Sequence, residues 1–519
     1  MRDILDLWLV RLILGLRDDI RAWAEEDPER LLWWLVNAGR NEYASVGESR
    51  PLRELLQERE QRSGFTRLQR LVYKQRSDVK HAYPLERGHA EFAHWFYRHG
   101  VPEHDLWEWL THEQWLLASM FSDPPEPTIA PAAVHPTSRP FGVNLVGYAY
   151  GQLGIGEDLR MAAKSLHRAG IPLAIVNFPP GQDVGQSDRS VHKWVRTNGP
   201  YRYNIFCLTA QEHGRFFAER GATQTAGRYN IGYWPWELEK WPGEWAPMFR
   251  LVDEVWSSSR HILSAVSGHS PVPCRLMPMA VDLEPLGRKG RRAFGLPSAA
   301  KLFCFAFDLN SSIHRKNAAA CMEGFSIAFP ASEYGANDVG LVLKCHRPPH
   351  TNALWTMIKR KAARDPRIHV IEQTLPRADL LGLYRCCDCF LSLHRAEGFG
   401  RNIAEALKLG LHVITTGYSG NVDFCRRPAA DLVDYALVPV GPDQYPFSDG
   451  AMWAEPDVQD AARLMQRFYT HRRVDRRDRL SPRYRTEAVG EGYLRRLRQI
   501  DARLSRTSGL PHSQESLGA

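Results

Sequence analysis

Up to about residue 121, apolar residues recur at helical spacing with few glycines between them, which predicts an all-helical N-terminal module. Its first segment, Ile4 to Leu16, is apolar but broken by Asp6 and Arg11, so it reads as an amphipathic helix packed in the module. The stretch from Ser122 to Pro140 is rich in Pro and Ala and has no periodicity, which marks a linker. After it the pattern changes. Short apolar runs alternate with helical stretches: Gly142–Tyr148, Leu173–Val176, Tyr203–Thr209, Leu302–Phe307, Leu341–His346, Ile368–Glu372, Cys389–Leu393 and Leu411–Thr416. Buried strands separated by helices predict an α/β protein with parallel sheets in two Rossmann-like regions.

Within the helical module there is an internal echo. Leu32-Trp33-Trp34-Leu35, then Gly39 and Glu42, resembles His94-Trp95-Phe96-Tyr97, then Gly100 and Glu103. It predicts a duplicated element whose Trp packs inside and whose Gly ends a helix.

The informative stretch lies late in the chain. Ala396-Glu397-Gly398-Phe399-Gly400-Arg401-Asn402-Ile403-Ala404-Glu405 stands between two predicted strands. The order strand, Gly loop, helix, strand puts the loop at the carboxyl edge of a parallel sheet, where such sheets bind ligands. The first amides of the helix suit a phosphate or a sugar hydroxyl. Earlier, strand Leu302–Phe307 leads into Ser311-Ser312-Ile313-His314-Arg315-Lys316, which opens another helix. In the first Rossmann-like region, Gly154, Gly156 and Glu157 form a Gly loop, but their order misses the dinucleotide fingerprint, and no acidic residue closes the next strand. A nicotinamide cofactor is disfavoured.

The Glu397–Glu405 stretch resembles the E-x7-E motif of retaining glycosyltransferases with the GT-B fold. "NIGYWPWELEKWP", "DEVWSSS" and "MPMAVD" resemble a bacterial branch associated with cell-surface polysaccharides. The resemblance covers about residues 142 to 425. Helical spacing gives a module 1–121, the Pro-rich stretch a linker 122–140, and the basic C-terminal pattern a helix 476–504 before a disordered tail 505–519. The resemblance itself implies an acceptor domain 141–285 and a nucleotide-sugar domain 286–475. It also implies Glu397 on the donor sugar, with Gly398, Phe399, Gly400, Arg401 and Asn402 around it, and Glu405 on the ribose. Lys316 matches the lysine that neutralises the diphosphate. The usual upstream Arg is missing, which leaves Arg315, Ser311 and Ser312 as substitutes. Lys344 or His346 at a strand end is a nucleotide contact, and Gly420 belongs to the turn beside the donor. His213 is the candidate group of the first domain at the sugar, and Gly154, Gly156 and Glu157 face the cleft. The implied reaction moves a hexose from a nucleotide-sugar to a saccharide or lipid-linked acceptor. No metal or other cofactor is expected. Rival readings are a GT-B sugar-nucleotide epimerase and a non-catalytic scaffold.

Composition adjusts this picture little. The 519 residues are too many for one core. Net charge is +8, from 67 basic and 59 acidic residues, and the basic residues are dispersed with no nucleic-acid-reading motif. That favours phosphorylated substrates or an anionic membrane surface as partners. The nine cysteines are odd in number and irregularly spaced, and Cys386-Cys387-Asp388-Cys389 runs straight into a strand. They read as reduced core residues, and the protein as cytosolic and peripheral to the inner membrane.

Overall fold

The computed structural model describes residues 3–61, 63–84, 89–125, 135–181, 184–284, 286–346, 352–471 and 477–507. Most of the predicted tail and part of the linker lie outside them. The chain forms two compact units, one of Met1–Arg139 with Ala210–Asn230, the other of the remaining residues.

The first unit is helical as expected, and its echo is structural. Trp34 and Trp95 each precede a single π-helical turn, Leu35–Gly39 and Phe96–Gly100. A Cβ on Gly39 or Gly100 would lie 3.0 or 3.1 Å from the preceding indole, so the ring lies on the glycine. Arg17 stands 5.8 Å from the Trp34 ring and Arg76 stands 5.3 Å from the Trp95 ring. Arg17 is bound to Asp19 and Glu42, Arg76 to Asp78 and Glu103. One correction applies. The glycine closes the π turn, and the chain continues helical to Glu42 and Glu103.

This unit does not end at residue 121, because the helix Ala210–Arg220 belongs to it. Ser45 Oγ donates to the Ala218 carbonyl at 3.0 Å, and Trp8 packs on Phe217 at 5.4 Å. Glu48 accepts from the Ala222 amide at 2.6 Å. A chain starting near Ser138 therefore strips this helix of its cover. We expect it to melt well below the full-length protein, with rapid amide exchange over 210–220. Unchanged melting with 210–220 still protected would show that the helix needs no such cover.

The second unit holds two parallel six-stranded sheets, the layout of paired Rossmann-like sheets. In the first, the strands are β1 (Val143–Gly147), β2 (Leu173–Asn177), β3 (Tyr203–Cys207), β4 (Tyr229–Tyr233), β5 (Glu254–Ser257) and β6 (Cys274–Leu276), in the order β2-β1-β3-β4-β5-β6. In the second they are β7 (Lys301–Asp308), β8 (Val339–His346), β9 (Ile368–Ile371), β10 (Cys389–Ser392), β11 (His412–Thr416) and β12 (Ala430–Val433). Their order is β12-β11-β10-β7-β8-β9. A hairpin of β13 (Tyr435–Pro439) and β14 (Met452–Pro456) follows. The central strands β1, β3 and β10 are buried along their whole length, which is why they appear as continuous apolar runs. The helix Thr486–Thr507 returns to the first sheet, where Tyr493 stacks on Trp256 at 5.1 Å and Arg496 Nε donates to Glu254 at 2.8 Å.

All nine cysteines are free thiols, and seven are buried. Among the described residues, no three His, Cys, Asp or Glu side chains gather as a metal set, and no helix is long and apolar enough to cross a membrane.

Candidate functional site

The second sheet fixes where a ligand can sit. From β7 the chain builds outward through β8 and β9, then returns to lay β10, β11 and β12 on the other side of β7. The switch point is between β7 and β10, and the crevice beyond their carboxyl ends is the expected ligand position. The loops leaving these strands carry Lys316 and Glu397, which are 81 positions apart in the chain and meet there.

Lys316 ends the short helix Ile313–Lys316, whose Ser312 N-cap has φ 65° and accepts from the Arg315 amide. Asn317, in the left-handed region, caps the next helix, Ala318–Ala328. This break turns Lys316 toward Glu397, with Nζ 2.5 Å from Oε1. Arg315 lies 3.4 Å from Oε2, but its guanidinium is already committed, donating to the Ala396 carbonyl at 2.7 Å and the Ser311 carbonyl at 3.2 Å. Arg315 is only 2% exposed, so it braces the Glu397 loop more than it faces solvent. Ser419 fixes the Glu397 backbone, accepting its amide at 2.8 Å. Ser312 Oγ donates to the Gln444 carbonyl at 2.9 Å.

Burial pushes the Glu397 carboxyl up, but Lys316 and Arg315 outweigh it and hold it at about 2. Burial likewise pulls Lys316 down against the pull of Glu397. A depressed carboxyl stabilises the fold above its unfolded value and loses that contribution as pH falls through its folded value. Between its ordinary 4.5 and about 2, wild type should therefore lose an advantage over Glu397→Gln of roughly 3 kcal/mol, read from paired denaturant melts. Parallel curves through that window would count against the pairing.

The glycines are steric requirements. A Cβ on Gly420 would sit 1.9 Å from the Gly398 carbonyl, and one on Gly398 would sit 2.6 Å from the Trp236 carbonyl. Ser259 Oγ donates to the Gly398 carbonyl at 2.6 Å. Gly400, at φ 85°, starts the helix Arg401–Lys408. The neighbours expected around the donor are held by protein partners. Phe399 is buried against Phe424 and Tyr484, Asn402 donates to the Ala306 carbonyl at 2.9 Å, and Arg401 Nε donates to Asp158 at 2.9 Å.

Glu405 is fully buried, and Arg377 holds one of its oxygens at 2.8 Å. Arg377 also reaches Glu157 at 3.0 Å, Glu157 pairs with Arg160 at 2.9 Å, and Arg160 donates to the carbonyls of Ala149 and Gly151. A line of alternating charge thus runs from Glu405 to the Gly loop of the first sheet. Glu157 is pushed up by burial, but Arg377 and Arg160 prevail and its carboxyl is lowered. Of the loop glycines, Gly156 has no room for a Cβ, which would lie 2.4 Å from the Gly151 carbonyl, whereas Gly154 has open space. Lys344 is buried and donates to the Cys345 carbonyl at 2.7 Å, and burial lowers it to about 8.

His213 is part of the helical unit. It is wholly buried on the helix Ala210–Arg220 of the helical unit, where desolvation lowers it to about 3. The loop after β4 brings Glu237 to 3.6 Å from Arg315. Sequence reasoning also missed Arg377, Asp158, Ser419 and Tyr445. The local signals are the aromatic run before Glu237 and the Gly420 turn, in which Ser419 stands.

No family model matches the chain, and no curated protein matches its sequence. Among solved structures it is similar to sucrose-phosphate synthase from Thermosynechococcus elongatus, at 12% identity and a TM-score of 0.47 over 71% of this chain and 98% of that one. It is also similar to α,α-trehalose-6-phosphate synthase from Burkholderia multivorans, at 10% identity and a TM-score of 0.47 over 72% of this chain and 99% of that one. A third is Anabaena HepE in complex with UDP and glucose, at 12% identity and a TM-score of 0.43 over 70% of this chain and 100% of that one.

Proposed function

We propose that the protein is a retaining glycosyltransferase of GT-B fold that moves a hexose from a nucleotide-sugar to a saccharide or lipid-linked acceptor. The observation that carries this reading is the Lys316–Glu397 pair at the switch point of the second sheet. In the reaction, Lys316 turns from Glu397 to the diphosphate, whose charge grows as the bond to the sugar breaks. Glu397 is then free to accept a hydroxyl of the transferred sugar. Glu405 takes a ribose hydroxyl on the oxygen that Arg377 does not hold. The setting we favour is polysaccharide assembly at the cytoplasmic face of the membrane, to which the net charge of +8 is suited.

A thermal-shift panel of UDP-, GDP-, ADP- and dTDP-hexoses tests donor binding. The true donor, at a hundredfold excess over its dissociation constant, adds about 2.7 kcal/mol. No stabilisation by any member would overturn the reading, and a changed sugar without transfer would identify an epimerase. With Lys316 and helix-end amides facing the phosphates, transfer is expected to run undiminished in excess chelator. Loss of activity restored by magnesium or manganese would refute that mechanism.

A further inference from the structure

The crevice has a second carboxylate, supplied by the first sheet. After β4 the chain runs Trp234-Pro235-Trp236-Glu237. Trp236 is buried, edge-on to Trp245 at 4.8 Å and to Tyr445 at 5.8 Å, and its indole donates to the Lys240 carbonyl at 2.7 Å. Its own carbonyl is the atom that crowds Gly398. This anchorage sets Glu237 beside the loop that carries Glu397. One Glu237 oxygen accepts from the Tyr445 hydroxyl at 2.6 Å, and the other lies 3.6 Å from Arg315. The same guanidinium lies 3.4 Å from Glu397, so one arginine stands between two carboxylates from different sheets. His261 holds the Glu237 carbonyl at 2.7 Å.

The two carboxylates are not equivalent. The Glu397 side chain is 12% exposed and touches Lys316 at 2.5 Å, whereas that of Glu237 is 25% exposed, takes the Tyr445 hydroxyl, and lies 3.6 Å from the Arg315 cation. When Glu237 exchanges that contact for a hydroxyl, Arg315 keeps its two carbonyl partners and Glu397. An ionised carboxylate accepts hydrogen bonds and offers none, which suits paired sugar hydroxyls. Beyond His261 lies Tyr418, 5.5 Å from the imidazole, and Tyr435, 5.3 Å from Tyr418 and 41% exposed. An aromatic ring suits the apolar C–H side of a pyranose.

We propose that Glu237 is a positioning residue for the acceptor. The carboxylate oxygen now beside Arg315 accepts from a hydroxyl of a neutral saccharide laid against Tyr418 and Tyr435, and Tyr445 holds the other oxygen still. The inference rests on the glycosyltransferase reading, and its test separates the two. Wild type, Glu237→Gln and Tyr445→Phe are compared for stabilisation by UDP, GDP, ADP and dTDP. They are then compared for hydrolysis of the matching nucleotide-hexose, and for transfer to methyl glucoside, galactoside and mannoside. Expected for Glu237→Gln are unchanged nucleotide stabilisation, hydrolysis close to wild type, and an acceptor KM raised roughly 10- to 100-fold. Tyr445→Phe should raise the same KM by a smaller factor. Wild type stabilised by none of the nucleotides would sink the glycosyltransferase reading and this inference with it. If nucleotide binds but both variants transfer as wild type, or lose hydrolysis along with transfer, only the assignment of Glu237 falls. It falls equally if wild type hydrolyses donor and none of the three glycosides accepts.

Discussion

Glu397→Gln lowers turnover by about two to three orders of magnitude, the usual cost of removing one preorganised contact to a transition state. The amide keeps the size of the side chain and its place on the loop, because Ser419 and Gly420 hold the Glu397 backbone and not its carboxylate. What is lost is the charge paired with Lys316 and shared with Arg315. The loss should appear in kcat, with donor affinity changed far less, since an interaction strengthened only as the reaction proceeds leaves ground-state binding alone. Single-turnover kinetics with the identified donor decide this. A variant with wild-type kcat would remove Glu397 from the reaction.

Lys316→Met is expected to be as damaging, by about a hundred- to a thousandfold. The thioether has similar length but cannot meet the negative charge of a departing diphosphate. The substitution also has a signature without substrate. Lys316 is the largest of the charges holding the Glu397 carboxyl at about 2, so without it that carboxyl rises toward its ordinary 4.5. The stabilisation lost on acidification then shrinks, and acid unfolding curves of the variant lose their steep limb below pH 4.5. An inactive variant with the acid limb of wild type would separate the two roles and leave the ion pair unsupported.

The strands were legible because buried parallel strands are continuous apolar runs, and β7, β8, β10 and β11 fall where such runs occur. Glu397 and Lys316 were legible because each follows one of those strands directly. Their meeting was not, since it depends on β10 lying beside β7 instead of beside β9. Arg315 shows the limit of reading residue type alone. A cation next to Lys316 suggested a phosphate contact, and the fold spends it on two carbonyls. Arg377 and Asp158 left no trace, because their partners Glu405 and Arg401 come from different elements and no spacing links them. The helix Ala210–Arg220 misled for another reason. Between β3 and β4 it has the pattern of any crossover helix, and nothing local says that it is buried against residues 8 to 48.

The returning helix Thr486–Thr507 sets an order of events during synthesis. Tyr203 on β3 donates to the Leu497 carbonyl at 3.2 Å, and Gly490 lies so close to the helix Gly154–Arg168 that a Cβ there would be 2.2 Å from the Ser165 carbonyl. Glu254, with no exposure at all, has its counter-charge in Arg496. The ribosome therefore makes Glu254 242 positions before Arg496, the cation that neutralises it. Until then Glu254 lacks this counter-charge and the helix Gly154–Arg168 lacks its neighbour. The second sheet, wholly encoded before residue 440, can be made while the first is still unfinished.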